Sequence, residues 1–315
     1  MNKKFDVICI GAALVDIVAQ VDRHPLEDDE VFVSDLNFFS GGASANTAYA
    51  CAKLGLKTAF LGMIGRDDSF STKILNDFNE VNVSTSLIKY TSDHFTGSAY
   101  IALNHKGDRR IYAHSGAANY LSKTDILENE VSHTKVIFLS SLKNLDSFNE
   151  AAKIGRRKKI TVILNPGMLI VDQGFIVIKE LLKNVDILIM SKREFQVLFK
   201  VKDEINEVNV NNKANSFFEL GIKFLVITMG RQGALIISPH NSESVSPIKI
   251  EKVLDTTGAG DAFSAGFIYG FIQNSGFNFD DIKQNAKLGN FVAGKCIEKL
   301  GARNGIPDTL NGKRR

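Results

Sequence analysis

The stretch DTTGAGDAFSAGF, Asp255–Phe267, sets Gly258, Ala259 and Gly260 between two acids and then runs into an apolar helical pattern. A plain turn needs one glycine, or two. Glycines let a backbone approach a ligand with no Cβ in the way, and successive amides there form an anion-binding nest. A helix starting at the same place adds unpaired N–H groups and the positive end of its dipole. The stretch therefore reads as a phosphate cradle, with Asp261 in the first helical turn placed to take a proton. The competing reading is a Gly-rich turn with Asp261 as an N-cap. Asp255 ahead of it, and Ser264, Ala265 and Gly266 behind it, favour the cradle, because small side chains let something pack closely over the first turns.

Outward from the cradle, short apolar runs alternate with helical patterns. FDVICIGAA, KTAFLGMIG, KVIFLSS, KITVILNPG, VDILIMS and IKFLVITMG each read as a buried strand, and SANTAYACAKLG as a helix stopped by Gly55. This rhythm predicts repeated βαβ units, hence an α/β fold with a mostly parallel sheet covered by helices on both faces. In such sheets ligands bind beyond the carboxyl ends of the strands, where the cradle lies.

Two regions break the rhythm. Residues from about 16 to 40 alternate like exposed strands with a turn at His24-Pro25, and residues from about 97 to 113 read as a hairpin turning at NHKGD. Together they predict a small antiparallel sheet beside the main body. Its apolar face needs covering, so it is a candidate lid, a candidate dimer contact, or both. The whole chain, 1–315, reads as one domain.

The 315 residues carry a net charge of +3, with 44% hydrophobic and 23% charged residues, the balance of a globular protein with a sizeable core. Basic residues are scattered, and only the terminal GKRR clusters, so no nucleic-acid partner is expected. Cys9, Cys51 and Cys296 lie far apart in apolar surroundings, which predicts reduced core thiols rather than disulfides or a metal site. Asp6, Asp16 and Asp22 interrupt the N-terminal apolar run, so it is read as a strand and not a signal sequence. With no membrane-length segment, the expected location is the cytoplasm. The G-x-G-x-x-G of a nicotinamide-dependent oxidoreductase and the P-loop lysine motif are both missing, and the six histidines are scattered.

DTTGAGDAFSAGF resembles the C-terminal signature of the ribokinase-like, PfkB-type carbohydrate and nucleoside kinases. GGASANTAYACAKLGLKTAFLGMIG, Gly41–Gly65, resembles the N-terminal signature of the same family. The resemblance spans essentially the whole chain. It implies a three-layer ribokinase-like fold with a β lid, and transfer of the γ-phosphate of ATP to a hydroxymethyl group. It implies that Asp261 is the catalytic base, that the backbone of Gly258, Ala259 and Gly260 is the anion hole, and that Asp16 binds sugar hydroxyls with Gly41, Gly42 and Asn46. On the nucleotide side it implies Thr228, Gly230 and Gly233 in VITMGRQGALI, and Asn290 near the adenine. LNPGM, with Asn165 and Gly167, resembles a family loop after a central strand. MSKREF resembles an Asn-x-x-Glu element that organises Mg²⁺ through water; Glu194 is kept, and Ser191 stands in place of the Asn. Asp255 and the Thr257 carbonyl match part of a monovalent-cation site, which makes K⁺ a candidate activator, but Gly305 in GARNGIP stands where a hydroxyl is common.

The acceptor is the least specified part. Arg109 and Arg110 on the hairpin are candidates for a phosphorylated acceptor, and Phe38, Phe39, Tyr100 and Tyr112 for a wall against a nucleoside base. The reading favours an unphosphorylated pentose or hexose, with a nucleoside as the alternative. A non-catalytic binder on the same fold would have no need of the base. A homodimer through the small sheet is a candidate assembly.

Overall fold

The computed structural model describes residues 3–201, 207–274 and 276–310; the GKRR tail lies outside the described residues. The strands are β1 (Phe5–Gly11), β2 (Leu14–Val21), β3 (Val33–Gly41), β4 (Thr58–Leu61), β5 (Met63–Gly65), β6 (Lys89–Thr91), β7 (Thr96–Asn104), β8 (Arg109–Gly116), β9 (Thr134–Ser140), β10 (Thr161–Asn165), β11 (Ile187–Ser191), β12 (Phe224–Thr228), β13 (Ala234–Ile237) and β14 (Ser242–Val245). Eight of them form one sheet in the order β14-β13-β12-β11-β10-β9-β1-β4. Pairing is parallel from β4 through to β12, and β13 and β14 extend the sheet antiparallel.

The apolar runs become central strands because both of their faces are covered. Ile8, Ile10, Ile137 and Leu139 point into one core; Val7, Cys9, Val136 and Phe138 alternate with them into the other. Helices Asp146–Lys158 and Phe175–Leu182 cover the first face, and helices Ala43–Lys53, Ala259–Asn274 and Phe279–Cys296 the second. The three cysteines are free and buried. Among the described residues, no helix is long and apolar enough to cross a membrane.

Helix Ala259–Asn274 is buried from Ala262 through Ile272, so it is a core helix and not a surface one. Its small residues serve a neighbour. A Cβ on Gly266 would lie 2.6 Å from the Leu288 carbonyl oxygen, so the close packing over these turns belongs to helix Phe279–Cys296.

The run KTAFLGMIG, expected as one strand, divides at Gly62 into β4 and β5. Gly62 passes so near Gly11 that a Cβ would sit 2.5 Å from the Gly11 carbonyl oxygen. The chain leaves the large sheet there, and β5 pairs with β6 instead.

A four-stranded sheet, ordered β3-β2-β7-β8, holds the two insertions. Each insertion is an antiparallel pair, as expected, but β2 and β7 join the pairs in parallel. The second hairpin turns at Gly107, where φ is +86°. In the first, the expected turn at His24-Pro25 is part of a longer connection over residues 22–32, stapled by an ion pair of Arg23 with Asp29. Register assigns the faces of this sheet. Phe39, Asp16, Ala99 and Ala113 stand side by side on one face, in line with Ile101 and Ile111; Phe38, Ile17, Tyr100 and Tyr112 occupy the other.

Candidate active site

Helix Ala259–Asn274 opens beside the carboxyl end of β10, where the Asn165 amide donates to Ser264 Oγ at 3.3 Å. The Ala262 N–H bonds back to the Gly258 carbonyl at 2.8 Å and the Ala259 N–H to Thr256 O at 3.3 Å. The Gly260 and Asp261 amides therefore precede the first carbonyls the helix offers. The two glycines have different duties. Gly258 has φ +77° and lies against Ala302, so it shapes the turn; a Cβ on Gly260 would meet nothing within 4 Å, so it leaves space.

Asp261 is the third residue of this helix and not its N-cap. Its Oδ2 accepts from Asn46 Nδ2 at 2.9 Å. Asn46 is the fourth residue of helix Ala43–Lys53 and turns its side chain to the acid. The Asn46 Oδ1 in turn accepts from Arg303 Nε at 2.9 Å. Burial pushes the Asp261 carboxyl up to about 7, against the Asn46 hydrogen bond and the Arg303 charge, with Asp16 and Glu194 adding to the rise.

Asp16 points from β2 towards the same place. Burial raises its carboxyl to about 6, opposed by Arg303. The carboxylate lies over Gly41, where a Cβ would be 2.5 Å from Oδ2. Gly42 follows with φ +94° and passes Ala12 so closely that a Cβ would lie 2.4 Å from its carbonyl oxygen. The paired glycines thus make room for an acid on one side and for the body of the protein on the other.

Beyond the cradle, Thr256, Ala259, Gly230 and Asn290 line a cavity of about 540 Å³ with apolar walls from Ile248, Ile250, Val253 and Ile297. Thr228 and Gly233 are not in its lining. Gly233 serves a tight turn, where a Cβ would sit 2.1 Å from the Val245 carbonyl oxygen. The Asn290 amide donates to the Val245 and Ser246 carbonyls at 3.2 and 3.0 Å, so its nitrogen is committed to the backbone.

A family model described as pfkB family carbohydrate kinase matches residues 4–309. The chain belongs to that family. It is 33% identical to an uncharacterized sugar kinase of Archaeoglobus fulgidus over 82% of this chain and 99% of the relative. It is 28% identical to a ribokinase of Staphylococcus aureus over 96% of each. The structure of Arabidopsis thaliana ribokinase complexed with ribose and ATP superposes with a TM-score of 0.85 at 24% identity, covering 98% of this chain and 96% of that one. The protein is accordingly an ATP-dependent kinase with a ribokinase-like fold.

In this pfkB kinase the residues expected to serve metal ions are tied into the protein frame. Ser191 and Glu194 form a reciprocal capping box: the Ser191 N–H donates to Glu194 Oε2 at 2.6 Å and the Glu194 N–H to Ser191 Oγ at 3.2 Å. The serine that stands for asparagine thus caps helix Lys192–Phe199. Burial raises the Glu194 carboxyl, and its bonds with Ser191 oppose the rise. Asp255 accepts from the Thr257 N–H at 2.9 Å, the Thr257 hydroxyl at 2.7 Å and the Gly301 N–H at 2.9 Å. Burial works to raise Asp255, but those bonds and the Arg109 charge outweigh it and hold the carboxyl low. A hydroxyl-bearing side chain has no room at Gly305, where a Cβ would lie 2.2 Å from Lys295 O. No group of three or more His, Cys, Asp and Glu side chains among the described residues is arranged to hold a metal ion. Mg²⁺ bound chiefly through nucleotide phosphates and water needs no such cage, and the Glu194 carboxylate fits the water-mediated role.

Three of the aromatic candidates for a nucleoside wall, Phe38, Tyr100 and Tyr112, lie on the face of the small sheet opposite Asp16; Phe39 shares its face. Arg109 reaches from β8 to the Thr257 hydroxyl at 3.3 Å, and Arg110 to the Pro25 carbonyl at 3.4 Å. Sequence reading missed Arg303 altogether. Its partner Asn46 is 257 positions away, and nothing local to GARNGIP marks the arginine.

Proposed function

We propose that the chain transfers the γ-phosphate of ATP to a hydroxymethyl group of an unphosphorylated pentose or hexose. The observation that carries this reading is the meeting of Asp261, held by Asn46 at 2.9 Å, with Asp16 above Gly41 and the open side of Gly260. Asp16, Gly41, Gly42 and Asn46 hold the acceptor, since a carboxylate accepts from two neighbouring hydroxyls. Asp261 orients the reacting hydroxyl and takes its proton as the oxygen attacks the γ-phosphorus. The new O–P bond forms while the bond to the β-phosphate oxygen breaks, and ADP leaves. The backbone of the Gly258-Ala259-Gly260 turn receives the charge on the transferring group, chiefly through the Gly260 amide, since the Ala259 N–H already bonds to the Thr256 carbonyl at 3.3 Å. The nucleoside half of ATP takes the cavity beside Gly230 and Asn290. The Glu194 carboxylate would hold Mg²⁺ through water, and the ion would supply neutralisation of phosphate charge. Asp255 and the Thr257 carbonyl are the residues for a monovalent cation such as K⁺.

Aliphatic side chains Ile101 and Ile111 share the face of Asp16, which favours a sugar over a nucleoside. Arg109 shares the face of Asp16 through its pairing with Leu103, but its guanidinium is engaged by the Thr257 hydroxyl at 3.3 Å, which favours an unphosphorylated acceptor. We read residues 1–315 as one kinase domain whose four-stranded sheet is a lid excluding water from the transfer. Its outward face, with Leu36, Phe38, Tyr100 and Tyr112 exposed, is the contact of a homodimer. The protein acts in the cytoplasm and needs no nucleic-acid or membrane partner.

The test is an ADP-release screen of pentoses, hexoses, sugar phosphates and nucleosides with ATP and Mg²⁺, with and without K⁺. The best acceptor is then assayed with Asp261→Asn. Loss of turnover by about three orders of magnitude or more with ATP binding retained is expected; a nucleoside as best acceptor would replace the sugar reading.

A further inference from the structure

Arg303 is only 8% exposed, yet its guanidinium makes a single complete hydrogen bond, from Nε to Asn46 Oδ1 at 2.9 Å. Nη1 stands 3.6 Å from Asp77 Oδ2, and neither Nη1 nor Nη2 has a hydrogen-bond partner among the described residues. The group stacks on Tyr49, with Phe78 beside it, at 4.9 and 5.8 Å from the ring centroids. A leucine or methionine would pack between those rings without the cost of burying a cation. Packing therefore does not account for the guanidinium.

We propose that Arg303 is a positioning residue for the phosphoryl transfer, acting through Asn46 to hold the Asp261 carboxylate oriented and ionised. An amide has an acceptor end and a donor end. With Oδ1 taken by the Arg303 N–H, only Nδ2 can face the acid, and it does so at 2.9 Å. Without the arginine, the Asn46 amide is free to rotate and present its oxygen to a carboxylate oxygen, which repels it. The Arg303 charge acts in the same direction as the hydrogen bond, favouring the ionised acid. Against them stand burial and the charges of Asp16 on β2 and Glu194 on helix Lys192–Phe199; the Cys296 thiol, raised to about 12, stays neutral. Burial lowers Arg303 itself to about 10, so it remains a cation across the working range.

This inference rests on Asp261 being the base, but its primary readout does not require turnover. In protein carrying ¹³Cγ-labelled aspartate, the Asp261 resonance is assigned by its loss in Asp261→Asn and titrated in wild type and Arg303→Met. The midpoint is expected to rise by about one pH unit or more in Arg303→Met, and the acid limb of kcat/KM for the best acceptor to rise with it. In an Asn46→Ala background, Arg303→Met is expected to cost at most a further twofold in kcat, because the route through the amide is already broken. Arg303→Gln disturbs the packing less and carries the same test, with the same expected direction, if Arg303→Met does not fold. An unchanged Asp261 midpoint, or full additivity with Asn46→Ala, overturns the proposal. Failure of the base assignment looks different: Asp261→Asn would keep its turnover while the midpoint still moved.

Discussion

The Asn46 amide and the Asp261 carboxylate, 215 positions apart in sequence, are joined by a hydrogen bond of 2.9 Å. The bond links the two glycine-bearing segments of the chain, Gly41–Gly42 with helix Ala43–Lys53 and Gly258–Gly260 with helix Ala259–Asn274. It also sets the acid a limit. Donation from Asn46 favours the charged form, but burial prevails and leaves the group near 7.

A base must be ionised to accept a proton. The kcat/KM of the kinase for its acceptor should therefore fall as pH drops through about 7. A decrease of roughly tenfold per pH unit is expected on the acid side, measured between pH 5 and 8. A flat profile over that range would exclude a buried acid as the base.

The same shift has a consequence for folding. The Asp261 carboxyl is raised in the folded protein, so between about pH 4 and 7 the unfolded chain releases a proton that the folded one keeps. Stability from this group is present below the unfolded pKa and is lost as pH rises. Asp261→Asn should thus be more stable than wild type at pH 8, by roughly 1–3 kcal/mol, with the gain vanishing towards pH 4. Thermal unfolding at the two pH values measures it.

Gly258 and Gly260 should respond differently to alanine. Gly258→Ala forces a side chain into φ +77° and against the Ala302 backbone, so it should cost about 1–3 kcal/mol of stability. Gly260→Ala has open space in the fold and should melt within a degree or two of wild type. Its methyl would occupy the cradle, so turnover should fall by about a hundredfold. Calorimetry paired with steady-state kinetics separates the two; equal melting temperatures would contradict the assignment.

Gly41→Ala places a Cβ 2.5 Å from Asp16 Oδ2 and must displace that carboxylate. The expected result is an acceptor KM raised about 10–100-fold with the KM for ATP within twofold of wild type. A parallel rise in both would mean that Asp16 does not serve the acceptor.

Much of this protein was legible along the chain because the relevant physics is local. Unbroken apolar runs can be stable only when covered on both faces, so FDVICIGAA and KVIFLSS announced a parallel α/β sheet. The glycines before Asp261 announced a helix start with open space at Gly260, since backbone freedom is a property of the residue itself. The register of the small sheet was not legible. A shift of one residue exchanges the faces, and only the observed pairing of Ile17 with Tyr100 turns Tyr100 and Tyr112 away from Asp16 and leaves Ile101 and Ile111 towards it. The division of the strand at Gly62, the use of Gly266 by a neighbouring helix, the capping of Glu194 by Ser191 and the relay from Arg303 were also beyond local pattern. Each depends on what distant or folded-together groups do to one another: burial, close approach and charge are properties of the assembled interior, and they decide which acid carries a proton at neutral pH.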